Sequence, residues 1–188
     1  MASGENQEMS AESTLKGWIE EEERLLQAME HGRRAGTITR DMVGKMTGIE
    51  VMQAVRRGDL PNGPMARTLN YMIIEVEPGR AVVQGNPTEN VLNVQGSVHG
   101  GWFSTIMDAA LGNAIHSMLP AGKGYGTLDL SVKMTRAISP DIGRVRAIGT
   151  VIQVGRTVAT AEGRLIGPDG KLHAFATTTA MVVDLRST

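Results

Sequence analysis

Asn93-Val94-Gln95-Gly96-Ser97-Val98-His99-Gly100-Gly101-Trp102-Phe103-Ser104-Thr105-Ile106-Met107-Asp108 decides how the rest of the chain is read. Two glycines follow a histidine and open the longest convincing amphipathic helix in the sequence. Phe103, Ile106, Met107, Ala110, Leu111, Ala114, Ile115 and Met118 recur at i, i+3, i+4 as a sustained apolar stripe. At about 100° per residue, Asp108 falls off the centre of that stripe, flanked by Gly101, Ser104, Thr105 and Gly112. A carboxylate is costly at a central core position, whereas an edge of small residues leaves room for a ligand. The N–H groups of the first turn have no intrahelical partner, so they can donate to an oxygen that is gaining negative charge. A carboxylate nearby can serve as base or nucleophile. The stretch outlines an acyl-transfer site.

Outward from this helix the pattern turns to period two. Upstream, Thr68 to Glu77 alternates as a strand, and Pro78-Gly79 turns the chain into a second short strand, Arg80 to Gln84. Downstream, Pro120 to Gly126 reads as a loop. Leu128, Leu130, Val132 and Met134 then alternate with Thr127, Asp129, Ser131, Lys133 and Thr135. Ser139 to Gly143 is a turn, followed by a strand from Arg144 to Val154. Gly155-Arg156 turns into a strand from Thr157 to Ile166, and Gly167-Pro168-Asp169-Gly170 is a hairpin signal into Lys171 to Asp184. An antiparallel sheet of about six strands curled around one long central helix buries the stripe with the least machinery. The fold class is therefore α+β.

The chain divides at residue 48, with 1–47 as an N-terminal extension and 48–188 as the main domain. Met1 to about Ser13 is polar and expected to be disordered. Leu15, Trp18, Ile19, Leu25, Leu26 and Met29 recur at helical spacing around the run Glu20 to Glu23, with Gly32 as the stop. This acidic amphipathic helix is expected to dock on its own domain or on a sister subunit, and Arg33 to Arg40 reads as a basic linker. A short lead-in helix, Gly48 to Arg57, ends at the Gly58-to-Pro64 breaker, which sets the start of the compact part near Met65.

Composition narrows the function. With 188 residues the chain suits one domain plus an appendage. Only 3% of residues are aromatic, so methionine, valine, alanine and isoleucine must fill the core. Formal charge is −1 with no basic cluster, which argues against a nucleic-acid partner. Without cysteine there is no disulfide, thiolate metal site or cysteine nucleophile. His31, His116 and His173 show no ligand spacing, and no metal is expected. Neither a membrane-length apolar run nor a basic-then-apolar leader is present, so the expectation is a cytoplasmic protein without a membrane partner.

These residues resemble the hotdog-fold acyl-CoA thioesterases, in particular the phenylacetate-pathway enzymes and the Arthrobacter-type 4-hydroxybenzoyl-CoA group. The resemblance covers roughly Gly48 to Asp184 and is strongest from Asn93 to Ala110. The family pattern is an Asn or Gln six residues before His-Gly-Gly, then an acid nine residues after the histidine. Asn93, His99-Gly100-Gly101 and Asp108 stand at those spacings, and Thr127 matches a small hydroxyl residue opening the next strand. The resemblance implies that the Gly100 N–H polarises the thioester carbonyl and that Asn93 orients the water or the carbonyl. It also implies Asp108 as general base, or nucleophile through a mixed anhydride, with Thr127 holding the water. His99 and Gly101 join the substrate-binding set. Arg156, with Arg144, Arg146 and Lys171, is a candidate contact for CoA phosphates. No cofactor is implied beyond the CoA carried by the substrate. The helix of one subunit faces residues of the other, so a homodimer pairing into a tetramer is expected. Two rival readings stand beside it. One is a non-catalytic acyl-CoA sensor or scaffold that uses the N-terminal helix as an effector arm. The other is a hotdog dehydratase or hydratase, whose His and acid spacing this sequence lacks.

Overall fold

A computed structural model of the chain describes residues 2–29 and 34–185. In chain order these form helices α1 (Ala2–Ala28), α2 (Arg40–Val43), α3 (Gly48–Arg57) and α4 (Pro64–Thr68), then strands β1 (Tyr71–Glu77) and β2 (Arg80–Gly85). Helix α5 (Gly100–His116) follows, and β3 (Lys123–Met134), β4 (Val145–Val154), β5 (Val158–Ile166) and β6 (Leu172–Asp184) complete the chain. The six strands make one antiparallel sheet in the order β1-β2-β4-β5-β6-β3, so β1 and β3 are its edges. This is the hotdog fold: a sheet curled around α5, whose Ile106, Met107, Ala110, Leu111, Ala114 and Ile115 are wholly buried. Glycine lets the sheet come that close. A Cβ on Gly149 would lie 2.5 Å from the Ala110 carbonyl oxygen, and one on Gly163 would lie 2.8 Å from Leu111.

Several boundaries differ from the sequence reading, each for a local reason. β1 begins at Tyr71 rather than Thr68, because Pro64 opens a short helix and Asn70 then reverses the chain at φ 52°. The supposed loop Pro120 to Gly126 is half strand. β3 starts at Lys123 and pairs Lys123 with Asp184 and Tyr125 with Val182. A bulge between Thr127 and Asp129 breaks the alternation, leaving Leu128 outside while Leu130 and Val132 reach the core. The compact body begins upstream of Met65. Helix α3, held by the Thr47–Glu50 capping box and closed by Gly58 at φ 81°, buries Val51, Met52, Ala54 and Val55 in the main core. The stretch 40–43, of which only Arg40 belonged to the expected linker, forms α2 and buries Val43 there too.

On the outer face of the sheet lies α1. It reaches back to Ala2, so the stretch before Ser13, expected to be disordered, is helical; alanine, glutamate, glutamine and methionine there are good helix formers. Leu25, Leu26 and Met29 pack on Met72 and Ile74 of β1. Further along, Glu21 meets Arg146 at 2.6 Å and Glu22 meets Arg144 at 2.6 Å, while the Trp18 ring lies 4.6 Å from the Arg146 guanidinium. Gln84 donates to Glu22 at 2.8 Å and accepts from Arg146 at 2.8 Å. Gln84 is 2% exposed and Arg146 8%, so this outer face is buried only because α1 covers it. His31, Gly32 and Arg33 lie outside the described residues. No helix among the described residues is long and apolar enough to cross a membrane.

Candidate active site

The site starts where α5 starts. His99 is the helix N-cap, and its Nδ1 accepts the Gly101 N–H at 2.8 Å. Its own N–H donates to the Val91 carbonyl at 2.8 Å, which ties the approach loop to the helix start. The histidine side chain is thus committed to ordering the turn, and so is the Gly101 N–H. The Gly100 N–H points out of the first turn and meets no acceptor among the described residues. A Cβ on Gly100 would lie 3.0 Å from the end of the Met134 side chain, so a side chain there would crowd the methionine beside this donor.

Asn93 works inside its own loop. Its Oδ1 accepts from the N–H groups of Gln95 at 2.9 Å and Ser97 at 3.2 Å, and its Nδ2 donates to the Ser97 hydroxyl at 2.8 Å. These bonds make the tight turn that delivers His99 and Gly100. Asn93 and Gly100 line one cleft, together with Phe103, Met134, Thr135 and Arg136.

Asp108 lies two turns further on, half-buried on the flank of α5. Thr127 of β3 donates its hydroxyl to Asp108 Oδ1 at 3.0 Å. The two residues that the resemblance assigned to one site, 19 positions apart, thus meet in the fold. No lysine, arginine or histidine pairs with Asp108 among the described residues, so its charge is left available. Both of the chain's tyrosines surround it: Tyr71 from one edge strand and Tyr125 from the other. Burial, and then the negative charge of Asp108, push both phenols above their ordinary range and keep them neutral donors. Neither tyrosine stands out in the sequence. Tyr125 lies among Gly122, Gly124 and Gly126, which read as loop; its one signal is that it precedes Thr127 by two and so shares its strand face.

Other candidates fall elsewhere. Arg144 and Arg146 are paired with Glu22 and Glu21 under α1. Lys171 pairs with Asp169 at 2.6 Å in the β5–β6 turn. Arg156 is exposed in the β4–β5 turn and makes no ion pair among the described residues. No group of three His, Cys, Asp or Glu side chains that could hold a metal ion occurs among the described residues.

Known proteins share this fold. A family profile described as the thioesterase superfamily matches residues 95–174, which span the helix start, Asp108 and Thr127. A Ralstonia eutropha protein, provisionally named a phenylacetic acid degradation-related thioesterase, is 30% identical with a TM-score of 0.64. The match covers 69% of this chain and 98% of that one. The chain belongs to the thioesterase superfamily. Escherichia coli PaaI, from the phenylacetic acid degradation operon, is 23% identical over 68% of this chain and 89% of its own, with a TM-score of 0.61; it supports the fold. A Halobacterium salinarum protein provisionally named an esterase is 36% identical over 46% of this chain. The chain spans 57% of that relative's length. The helix α1 lies outside the matched profile.

Proposed function

We propose that the protein is an acyl-CoA thioesterase, hydrolysing the thioester to a free acid and CoA. The observation that carries this reading is the Asp108–Thr127 hydrogen bond, set on the flank of a helix whose first N–H, at Gly100, is open. Eight residues at about 1.5 Å each put Gly100 and Asp108 about 12 Å apart along the helix. A reacting carbonyl needs its activated water and its oxyanion donor both within about 3 Å, so one chain holds half a site. A pair of chains with antiparallel α5 helices supplies the other half, with Gly100 of one subunit opposite Asp108 of the other. The working unit is therefore a homodimer, or a dimer of dimers.

In this scheme Asp108 takes a proton from a water held with Thr127. The hydroxide attacks the carbonyl carbon, and the C=O electron pair moves onto oxygen, where the partner subunit's Gly100 N–H meets it. A lost oxyanion donor costs about 2.7–4 kcal/mol in comparable sites. When the C=O re-forms, the C–S bond breaks and the CoA thiolate leaves, taking the proton from Asp108 or from solvent. Thiolate is a good leaving group, so no further cofactor takes part. Asn93 acts as a positioning residue, through the turn that aims Gly100. If Asp108 instead attacks the carbonyl directly, a mixed anhydride forms and water cleaves it. A single turnover in ¹⁸O-water separates the two routes, because only the anhydride route can leave label in Asp108.

The test is a panel of acyl- and aryl-CoA esters with free thiol detected. Release of one thiol per acid formed is the expected result. Tight binding of the panel without turnover would instead favour the sensor reading, although α1, bound to its own sheet, offers that reading no free arm.

A further inference from the structure

Two clefts flank the start of α5. One, of about 440 Å³, is bounded by Leu69, Leu92, His99, Gly101, Trp102 and Thr105, and no lysine, arginine or acid stands in its wall among the described residues. The other, of about 360 Å³, is the cleft that Asn93 and Gly100 share, and Arg136 is the one charged side chain in its wall among the described residues. Of the two, only the Gly100 cleft offers an anion a charged partner.

The backbone around Arg136 is held on both sides. Met134 lies beside Gly100, and the Ile138 carbonyl accepts from the Val98 N–H at 3.3 Å. Between these contacts the chain bends at Arg136, which sits exposed at the rim of the cleft. The N–H groups of Thr135 and Arg136 both donate to the His173 carbonyl, at 2.8 and 3.2 Å, and the Thr135 hydroxyl donates to the Leu172 carbonyl at 3.0 Å. The main chain is thus fixed to the start of β6, while the guanidinium forms no ion pair among the described residues. Other cations are occupied: Arg57, Arg80, Arg144, Arg146, Lys123 and Lys171 each have an acid within 2.9 Å. Arg156 is unpaired too, but within one chain its turn lies beyond the other end of α5. There Met118 and Val151 of β4 both come within 3.8 Å of a Cβ placed on Gly79.

We propose that Arg136 binds a phosphate of CoA, so that the site recognises its substrate by the nucleotide end as well as by the thioester. This rests on the thioesterase reading, which brings a CoA ester to the Gly100 N–H and therefore into this cleft. Because that N–H serves the shared site of the dimer, the cleft has to admit substrate in the dimer as well. The pantetheine arm separates the phosphates from the thioester carbon, so their partner belongs at the rim, past Met134, and not beside Gly100. A guanidinium presents paired N–H donors that match phosphate oxygens. The contact is the same in the ground state and the transition state, so it lowers KM and leaves kcat alone.

The test puts one acyl group, the best of the functional panel, on CoA, dephospho-CoA and pantetheine, and measures kcat and KM by thiol release. For the CoA ester, Arg136→Gln should raise KM about tenfold, the low end for a hydrogen bond between charged groups, with kcat within about twofold of wild type. For the pantetheine ester, which has no phosphate, the variant and the wild type should agree within about twofold. The dephospho-CoA ester identifies the group: a persisting effect assigns the diphosphate, and a vanished one assigns the ribose phosphate. Arg136→Lys keeps a point charge and should recover part of the loss. The gap between Arg136→Gln and wild type should narrow as salt is added. Arg164→Gln removes an exposed cation that borders a different cleft and should change nothing. A KM raised equally for the CoA and pantetheine esters, or unchanged for both, overturns the role of Arg136 and leaves the thioesterase reading intact. So does an effect seen with succinyl-CoA and absent with butanoyl-CoA, which would give Arg136 to an acyl carboxylate instead. No turnover of any ester on the functional panel overturns the thioesterase reading itself.

Discussion

The two faces of the curled sheet handle charge in opposite ways. On the outer face, Arg144 and Arg146 each find a glutamate of α1 at 2.6 Å, and Gln84 joins the two pairs. On the inner side, Asp108 has one hydroxyl and two neutral phenols for company and no cation among the described residues. Structural charge is neutralised where it is buried. The proposed function uses that contrast, since a general base has to be free to take a proton.

The largest effect expected from that contrast is on turnover. Asp108→Asn should lower kcat about 10²–10⁴-fold, the usual range for a lost general base, with the melting temperature held within a few degrees. A folded Asp108→Asn variant with wild-type kcat would remove the contrast altogether. The outer face should answer in the other currency. Arg146→Leu leaves the buried Gln84 oxygen without its donor and should lose about 1–3 kcal/mol of stability, read from a denaturant midpoint, while kcat of the folded fraction stays near wild type. If Arg146→Leu is neutral in stability, α1 is merely laid on the sheet.

The same contrast explains what could be read in advance. The inner side was legible because the α5 stripe follows the helix period and the glycines after His99 are local to it, whereas Thr127 was reached through the family resemblance and not through any period. The outer side was not, since Glu21 and Arg146 are 125 residues apart and no period links them. Arg144 and Arg146 therefore read as free surface cations, and only docking of α1 reveals them as ballast for a helix. Tyr125 was hidden differently. Three glycines around it signal a loop, and the ladder to β6 overrides that signal. Asn93 matched its spacing, yet its bonds close a turn, a role that spacing cannot distinguish from contact with substrate.

A middle-sized effect probes the hydroxyl that accompanies Asp108. Thr127→Val removes the bond to the carboxylate with little change in shape. A hydrogen bond to a charged group contributes about 1.5–3 kcal/mol, and each 1.36 kcal/mol is tenfold. Thr127 lies at an exposed position on β3, so the low end applies and kcat should fall about tenfold, with Thr127→Ser restoring most of it. Equal kcat for Thr127→Val and wild type would make Thr127 an ordinary strand residue that happens to touch Asp108.

The smallest effect sits at the end of α5 and is read through pH. His116 ends α5, where the helix dipole would favour an imidazolium, yet burial lowers its pKa below the ordinary value. As pH falls below about 6.5, the unfolded chain binds this proton before the folded one does. Its contribution is therefore fully present above that pH and is lost as pH falls toward the folded value, at no more than about 1.4 kcal/mol per pH unit. His173, buried near the β5–β6 turn and also lowered by burial, carries the same sign. Between pH 6.5 and 5.5, above the range in which ordinary carboxylates titrate, His116→Gln should therefore flatten the fall of the denaturant midpoint without abolishing it. An unchanged slope would mean that the His116 ring is solvated and that its edge contact with Tyr125 does not exclude water.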